Sequence, residues 1–284
     1  MKSKKIKLLL SDPLAVAGII LLFVFVIIAI FAPKIVPYDP NEIIRIDDEI
    51  QRLQKPSRQF LFGTTYMGRD VFSQVIMGSR IALRVGLLAA IFVAIIGTTV
   101  GLISGYYGGW IDTIAMRFVD ILYGIPFIPF VVILVSLLKP SIWNIILAVS
   151  ILTWRTVARI VRSQVLSIIQ RPYIKAARVA GASDFRIMFY HILPNILPLI
   201  FVEMSFIVGW AIISEASVSF VGFGDPRAIS WGKILHTAFN SGAVRVAPWW
   251  VAPPGIAIVL LVISVFLISR GIEQAINPRL RDGR

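Results

Sequence analysis

The sequence predicts an all-α membrane protein with six transmembrane helices and both termini in the cytoplasm. Of the 284 residues, 57% are hydrophobic and 15% are charged, whereas soluble domains average roughly 45–50% apolar and about 25% charged residues. Six apolar stretches approach the roughly 20 residues that a helix needs to cross a bilayer. The net charge of +13 lies mostly at the ends of these stretches, which is typical of residues that fix membrane orientation and not of a nucleic-acid-binding surface.

The first predicted span, Leu14–Ala32, separates a cytoplasmic N-terminus (residues 1–13) from an extracytoplasmic loop (residues 33–79). Residues 80–284 then form a core with five further spans. These are Val85 to about Ser104, Ile121–Leu138, Ser141 to about Arg162, Asn195–Val221 and Trp250–Ser269.

The basic start and apolar stretch of the first span also fit a cleaved signal peptide. Its 19 uncharged residues exceed the roughly 7–15 of a signal core, and no A-x-A cleavage site follows. We therefore expect an uncleaved membrane anchor.

Basic residues predict the orientation of the spans, because cytoplasmic loops carry an excess of Lys and Arg. The loop 33–79 is neutral, with six basic and six acidic residues, as expected on the outer side. Three basic clusters mark the cytoplasmic side: Lys2, Lys4, Lys5 and Lys7; Arg171, Lys175, Arg178 and Arg186; and Arg270, Arg279, Arg281 and Arg284.

The cytoplasmic loop 166–194 predicts a helix, a sharp bend and a second helix. Pro172 is placed to begin the first helix, and Gly181 suits its end because glycine accepts the left-handed conformation there. Ser183 or Asp184 can cap the second helix.

Each predicted helix of this loop has a distinct surface. The first presents a slim alanine face and a basic stripe, and the second an apolar face typical of packing on a bundle or a membrane boundary. From spacing alone, an ordinary solvated loop explains the basic stripe at least as well as a docking surface. The three sets are Ala176, Ala177 and Ala180; Arg171, Lys175 and Arg178; and Phe185, Met188, Phe189 and Ile192.

The loop resembles the "EAA" loop of ABC importer permeases. The resemblance rests on Lys175-Ala176-Ala177, then Gly181-Ala182-Ser183-Asp184, and His191-Ile192-Leu193-Pro194-Asn195, a pattern similar to the dipeptide, oligopeptide and nickel branch. In that family the loop is a coupling helix that docks into a cleft of the ATPase subunit. The family usually has Glu where this chain has Lys175, so the charge is reversed. The resemblance implies an ATPase-coupling role for Lys175, Ala176, Ala177, Arg178, Gly181, Ala182, Ser183 and Asp184.

Further motifs extend the resemblance from about residue 10 to residue 281. Gly63-Thr64-Thr65-Tyr66-Met67-Gly68-Arg69-Asp70 is similar to the branch signature Gly-Thr-Asp-x-x-Gly-Arg-Asp, with Thr65 in place of Asp. Later matches include Glu215-Ala216, Ser230-Trp231-Gly232 and Pro278-Arg279-Leu280-Arg281. Their order indicates the second of two non-identical permeases.

The resemblance implies a type I ABC importer permease fold in the cell membrane and a set of partners. These are a second homologous permease, two ATP-binding cassette subunits and an extracytoplasmic substrate-binding protein. It implies that ATP and Mg²⁺ are bound by the cassette subunits, with no cofactor, metal or catalytic site in this chain.

Four residues within the spans are candidates for the transport pathway or the permease interface. Glu203 and Glu215 lie twelve residues apart in the fifth span, and we expect both to face the same broad side of that helix. Carboxylates in a membrane normally face a bundle interior or a wet cavity, although a structural hydrogen bond is an equal alternative. Pro126 and Pro129, with Gly124, interrupt the third span; broken helices line transport pathways or mark a packing kink.

The function predicted is solute import, with short peptides favoured over oligosaccharides or nickel chelates by the resemblance. A stand-alone ion-coupled carrier using Glu203 is a competing hypothesis, and so is a membrane-embedded enzyme. The enzyme hypothesis is weak because the chain has no cysteine and its two histidines, His191 and His236, lie far apart. The glycine-rich segment 105–110 lacks the lysine of a nucleotide-binding P-loop.

Overall fold

The computed structural model describes residues 9–276. The terminal basic clusters at Lys2–Lys7 and Arg279–Arg284 and the motif that begins at Pro278 lie outside these residues. Five of the described helices are long and apolar enough to cross a membrane, and one bent helix pair makes a sixth span if it crosses as a single broken helix. The prediction of a helical protein with many apolar spans is confirmed, with five or six of them among the described residues.

The first span is helix α1, Pro13–Ile35. The Asp12 carboxylate accepts a hydrogen bond from the Leu14 amide at 3.1 Å, and proline is favoured in a first helical turn. Gly18 lies so close to the last long helix that a methyl group on it would stand 2.8 Å from Leu267 Cβ. The small residue therefore allows close approach of the two helices.

The loop after α1 contains two short antiparallel strands, β1 (Arg45–Ile46) and β2 (Glu49–Ile50). Helix α2, Val71–Tyr107, follows and is 37 residues long, or about 55 Å at 1.5 Å per residue. The helix therefore starts before the predicted span at Val85, while the loop boundary at residue 79 stays a prediction. Arg80 and Arg84 lie in this helix and line a groove whose other walls are almost entirely apolar. The aliphatic part of an arginine side chain can pack on such a surface while its charged end stays in a polar environment.

Helix α5, Ile142–Ile169, packs along α2. Gly97, Gly101 and Gly105 of α2 recur at four-residue spacing, and a methyl group on Gly97 or Gly105 would stand within 2.9 Å of a valine Cβ of α5. Gly101 and Gly105 therefore serve this close contact. The helix ends at Tyr107, before Gly108 with φ +65°.

The third span is two helices, α3 (Gly109–Tyr123) and α4 (Phe127–Leu138), which meet at 89°. The sequence predicted one interrupted span that begins at Ile121. The bend falls at Gly124–Pro126, and Pro126 is the N-cap residue of α4.

The loop 166–194 and the last spans follow in the predicted order. Helices α6 (Pro172–Val179) and α7 (Asp184–Arg186) lead through a π-helical segment, Ile187–Ile192, into α8 (Leu193–Phe220). The remaining helices are α9 (Trp231–Asn240) and α10 (Pro248–Ile276). Below, "inner end" means the end of the bundle that carries α6, and "outer end" the end that carries β1, β2 and α9.

Candidate coupling surface and pathway residues

Helix α6 forms the centre of the candidate coupling surface at the inner end. It starts at Pro172 and ends at Val179, two residues before Gly181, whose φ is +80°. The Ala182 amide closes the bend by donating to the Ala177 carbonyl at 3.0 Å. Ser183 caps the second helix, its hydroxyl accepting from the Arg186 amide at 3.4 Å. The predicted helix–bend–helix is therefore confirmed, with Ser183 as the cap.

A buried apolar side chain anchors α6 to the bundle. Ile174 is fully buried in the same apolar cluster as Ile168 and Ile187. On the other surfaces, Lys175 and Arg178 are exposed, and Val179 is 90% exposed. The helix therefore offers its basic stripe outward.

Of the apolar residues predicted to form one face of the second helix, two are buried in the bundle and two are exposed. Met188 and Ile192 are buried, whereas Phe185 and Phe189 stack on each other at 4.4 Å between ring centres and remain exposed. The prediction of one apolar face assumed 3.6 residues per turn, and the π-helical segment has a wider turn. As a result, Phe185 and Phe189 extend the exposed surface beside α6.

The long helix α2 reaches this surface through Tyr106. Its hydroxyl donates to the Asp184 carboxylate at 2.5 Å, and the Arg178 guanidinium lies 5.8 Å from the centre of its ring. Two predicted coupling residues are thus tied to the inner end of α2. The sequence analysis missed Tyr106, since only the folded chain brings residues 106 and 184 together.

Glu203 lines a cavity of about 250 Å³ between α5, α8 and the start of α4. The cavity also contains Arg155 and Thr156, with aromatic walls that include Phe127 and Trp210. Glu203 is half-buried, and no hydrogen bond or ion pair is made by its carboxylate within residues 9–276. An acid and a base therefore share one partly apolar cavity, which opens on the side of the chain where Phe206 and Trp210 are exposed.

Glu215 has a different environment. It is buried, accepts a hydrogen bond from the Ser219 hydroxyl at 2.6 Å, and lies against the hydroxyl of Ser230, the N-cap of α9. Twelve residues at about 100° each leave the two carboxylates about 120° apart. The expectation that Glu203 and Glu215 share one side is therefore wrong: Glu215 holds α9 against α8.

Arginines of α5 stabilise the broken third span. The Arg155 side chain donates to the Leu122 carbonyl at the bend, and its guanidinium lies 4.5 Å from the Tyr123 ring centre. Arg159 pairs with Asp120 at 2.6 Å, and Arg162 pairs with Asp112. All three arginines therefore bind α3.

Pro126 and Pro129 do not line this cavity, although Phe127 between them does. Pro126 precedes α4 and Pro129 lies in its first turn, where proline needs no amide hydrogen bond. Their position accounts for the bend.

The family described as "Binding-protein-dependent transport system inner membrane component" matches residues 97–282, and "N-terminal TM domain of oligopeptide transport permease C" matches residues 6–56. The chain belongs to the first of these families. This transport permease is therefore a multi-pass membrane protein of the ABC importer class, and its family works with an ATPase and a binding protein.

Curated relatives resemble this permease over nearly its whole length. The dipeptide transport system permease protein DppC of Alkalihalophilus pseudofirmus is 37% identical over 97% of this chain and 89% of the relative. The glutathione transport system permease protein GsiD of Pectobacterium atrosepticum is 36% identical over 96% and 89%. The oligopeptide transport system permease protein OppC of Bacillus subtilis is 35% identical over 95% and 87%.

Among solved structures, an inward-facing MetNI methionine ABC transporter matches with a TM-score of 0.59 at 20% identity, covering 72% of this permease and 97% of that chain. At this identity the likeness shows the fold, which is that of a type I ABC importer permease.

Proposed function

We propose that this permease forms half of the membrane pathway of an ATP-driven importer of short peptides. The observation that carries the coupling role is the geometry of α6, a short helix held by buried Ile174 with Lys175 and Arg178 exposed. The relatives named for dipeptide, glutathione and oligopeptide transport support peptides as the substrate class.

In this proposal the chain does no chemistry itself. Two ATP-binding cassette subunits bind ATP and Mg²⁺, a second homologous permease completes the pathway, and an extracytoplasmic binding protein delivers the peptide. The permease holds no cofactor or metal of its own; within the described residues no cluster of His, Cys, Asp and Glu is suited to a metal.

The coupling surface transmits the closure of the cassettes to the bundle. Residues 175–178 and 181–184 contact the cassette, and the link from Asp184 to Tyr106 passes a displacement of the loop to α2. Since the paired permeases have an inward-open and an outward-open state, ATP binding works by favouring one of them.

The cavity with Arg155 and Glu203 is the proposed inner part of the pathway. A short peptide carries an ammonium and a carboxylate, and the cavity offers one charge of each sign. Ionisable groups inside a membrane normally mark such pathways. Glu215 has a structural role in this scheme, because its carboxylate is already hydrogen-bonded within the chain.

Reconstitution of the complete complex in nanodiscs tests the proposal. ATP hydrolysis would be measured with the binding protein empty, loaded with short peptides, or loaded with oligosaccharides or nickel chelates. We expect stimulation by peptides alone. Stimulation by sugars or chelates alone would replace the substrate class, and failure of the cassettes to bind the permease would overturn the coupling role in favour of an ion-coupled carrier.

A further inference from the structure

A small polar cavity of about 40 Å³ lies at the outer end, between the loop that precedes α2 and the first turns of α9. It borders the exposed residues Asn41 and Met67, so it lies next to the outer surface. Its polar lining comes from four parts of the chain: Asn41; Thr65, Arg69 and Gln74; Ser230, Lys233 and Thr237; and Trp250.

The strongest polar groups of this lining are hydrogen-bond donors. Arg69 Nε and Trp250 Nε1 are both buried with no hydrogen-bond partner in the part of the chain that the structure describes, and Trp250 is 1% exposed. Lys233 Nζ donates to the carbonyls of Pro226 and Ala228 at 2.5 and 3.1 Å. Buried donors of this kind are normally satisfied, so the cavity suits a group that only accepts.

Apart from the side chain of the exposed Asn41, the hydroxyl and amide groups of the lining are already engaged. Thr65 Oγ1 accepts from the Arg69 amide at 3.0 Å, and Gln74 Nε2 donates to the Pro40 carbonyl at 3.0 Å. Ser230 Oγ accepts from the Lys233 amide at 3.3 Å. None of them supplies the missing acceptor for Arg69 or Trp250.

The cavity wall carries two positive charges. Neither Arg69 nor Lys233 forms an ion pair among residues 9–276. Burial lowers the pKa of Lys233 from its ordinary value; Asp225 raises it and the positive charge of Arg69 lowers it further. The two cations therefore repel each other across a partly buried space.

Three carboxylates lie nearby, but none lines the cavity. Asp70 Oδ2 accepts from Ser73 at the start of α2, while its Oδ1 is buried without a partner. Asp225 accepts from the Ile142 and Arg227 amides. Glu215 is bonded to Ser219 behind the cap of α9. The excess of donors at the cavity itself remains.

We propose that this cavity binds a carboxylate that comes from outside the chain. Its volume gives room for about three non-hydrogen atoms, at roughly 10–15 Å³ for each water-sized group, which is the size of a carboxylate head and too small for a whole peptide. Thr65 of the lining stands where the Gly-Thr-Asp-x-x-Gly-Arg-Asp motif has Asp, so this chain lacks a carboxylate at that position. An outside carboxylate would meet Arg69, Lys233 and the Trp250 indole, through charge-assisted hydrogen bonds that are stronger than neutral ones.

The test uses the complete complex in nanodiscs and formate as the probe. The midpoint of thermal unfolding is measured against formate concentration, with ionic strength held constant by sodium methanesulfonate. We expect a saturable rise for the natural chain. Thr65→Asp should abolish it by supplying a carboxylate from within, whereas Thr65→Asn should retain it.

Lysine variants provide a second measurement. Lys233→Gln should weaken formate binding by about tenfold or more, as expected for loss of a charged donor. Lys55→Gln, at an exposed position of the same outer loop, should leave it unchanged. No rise in the natural chain, an equal rise in Thr65→Asp, or equal effects of the two lysine variants would overturn the proposal.

Two further measurements identify the source of the carboxylate, and these depend on the proposed function whereas the formate assay does not. If an acidic side chain of the binding protein enters the cavity, Thr65→Asp weakens its affinity for the complex whether it is empty or loaded. If the peptide's terminal carboxylate enters, the variant leaves the empty protein's affinity unchanged and slows peptide transport. No change in either would assign the formate site to free anions of the medium.

Discussion

In the proposed coupling, Lys175 faces the cassette subunit. The residue is exposed on α6, and it carries a positive charge where the resembling family usually has a negative one. We expect Lys175→Glu to weaken association with the cassette subunits by about tenfold or more, because a cassette matched to lysine would then face a like charge. Binding of the cassettes to permease nanodiscs measures it, with Lys55→Glu at the outer end as the control. Unchanged or tighter binding would show that the cassette does not recognise the lysine.

Glu203 is the single acidic group of the proposed pathway cavity. Replacement by Gln keeps the shape and removes the charge, so we expect peptide uptake into proteoliposomes to fall by about tenfold while assembly of the complex is unchanged. That factor corresponds to about 1.4 kcal/mol, which is modest for a charged contact. Ser205→Ala, two residues away on the same helix, should have little effect. Full uptake by Glu203→Gln would make the carboxylate a packing feature.

At the scale of elements, the glycines of α2 make a direct prediction about helix packing. A methyl group on Gly101 would overlap the Ala158 carbonyl and stand 2.8 Å from Val161 Cβ, whereas nothing lies within 4 Å of one on Gly255 of α10. Alanine raises intrinsic helix stability by up to about 1 kcal/mol over glycine.

We therefore expect Gly255→Ala to be neutral or stabilising and Gly101→Ala to lower the unfolding midpoint of the purified chain, because overpacking costs typically about 1–3 kcal/mol. Thermal unfolding in detergent measures both variants. Equal midpoints would mean that α2 and α5 separate easily at this contact.

The link between α2 and the coupling loop makes a second prediction at this scale. Tyr106→Phe removes the hydrogen bond to Asp184 and keeps the ring under Arg178. We expect basal ATP hydrolysis to persist while its stimulation by loaded binding protein falls several-fold, since one hydrogen bond to a charged group is worth about 1.5–3 kcal/mol. The neighbouring Tyr107→Phe is the matched control, because its ring is 49% exposed. Identical stimulation of both variants would exclude this link from coupling.

Local patterns in the sequence predicted the elements that depend on local chemistry. Pro172, Gly181 and Ser183 determine a helix, a bend and a cap through their own backbone preferences, so the coupling loop was predicted closely. The full length of α2 was not predicted, because Arg80 and Arg84 come directly before the uncharged stretch that begins at Val85. Only the apolar groove beside them explains why the helix includes them.

Contacts between distant residues were the part that the sequence could not supply. The contacts of Arg155, Arg159 and Arg162 with α3 follow from no pattern in the sequence, because their partners lie more than 30 residues earlier in the chain. The separation of Glu203 and Glu215 could have been predicted, since the helical period alone places them about 120° apart around the helix axis. The π-helical segment that exposes Phe185 has no local signal of this kind.

At the scale of the whole molecule, α2 connects the two candidate sites. It begins at Asp70, next to the outer cavity, and ends at Tyr106 and Tyr107, where the coupling loop is bound. Its length of about 55 Å exceeds the roughly 30 Å hydrocarbon core of a bilayer. A continuous helix of this length gives the binding-protein side and the cassette side a common rigid element.

The bent pair α3–α4 determines the orientation of everything that follows it. If the pair crosses the membrane as one broken span, the chain has six spans and α6 lies on the cytoplasmic side. If instead the pair enters and leaves on the same side, the chain has five spans, and α6 and α9 exchange sides. The charge bias of the loop around Arg171 and Arg186 favours six spans.

Cysteine labelling separates these two topologies, because the chain contains no cysteine of its own. Single cysteines would replace Leu61 in the outer loop, Phe239 in α9 and Val179 in α6, which are 53%, 61% and 90% exposed. With a maleimide that does not cross membranes, we expect Leu61→Cys and Phe239→Cys to react in intact cells and Val179→Cys to react only in inverted vesicles. Leu61→Cys is the control, since it reacts from outside in both topologies. Reaction of Val179→Cys in intact cells would place α6 on the outer side of the membrane, where no cytoplasmic ATPase can bind it. That result would overturn both the six-span topology and the coupling role of α6.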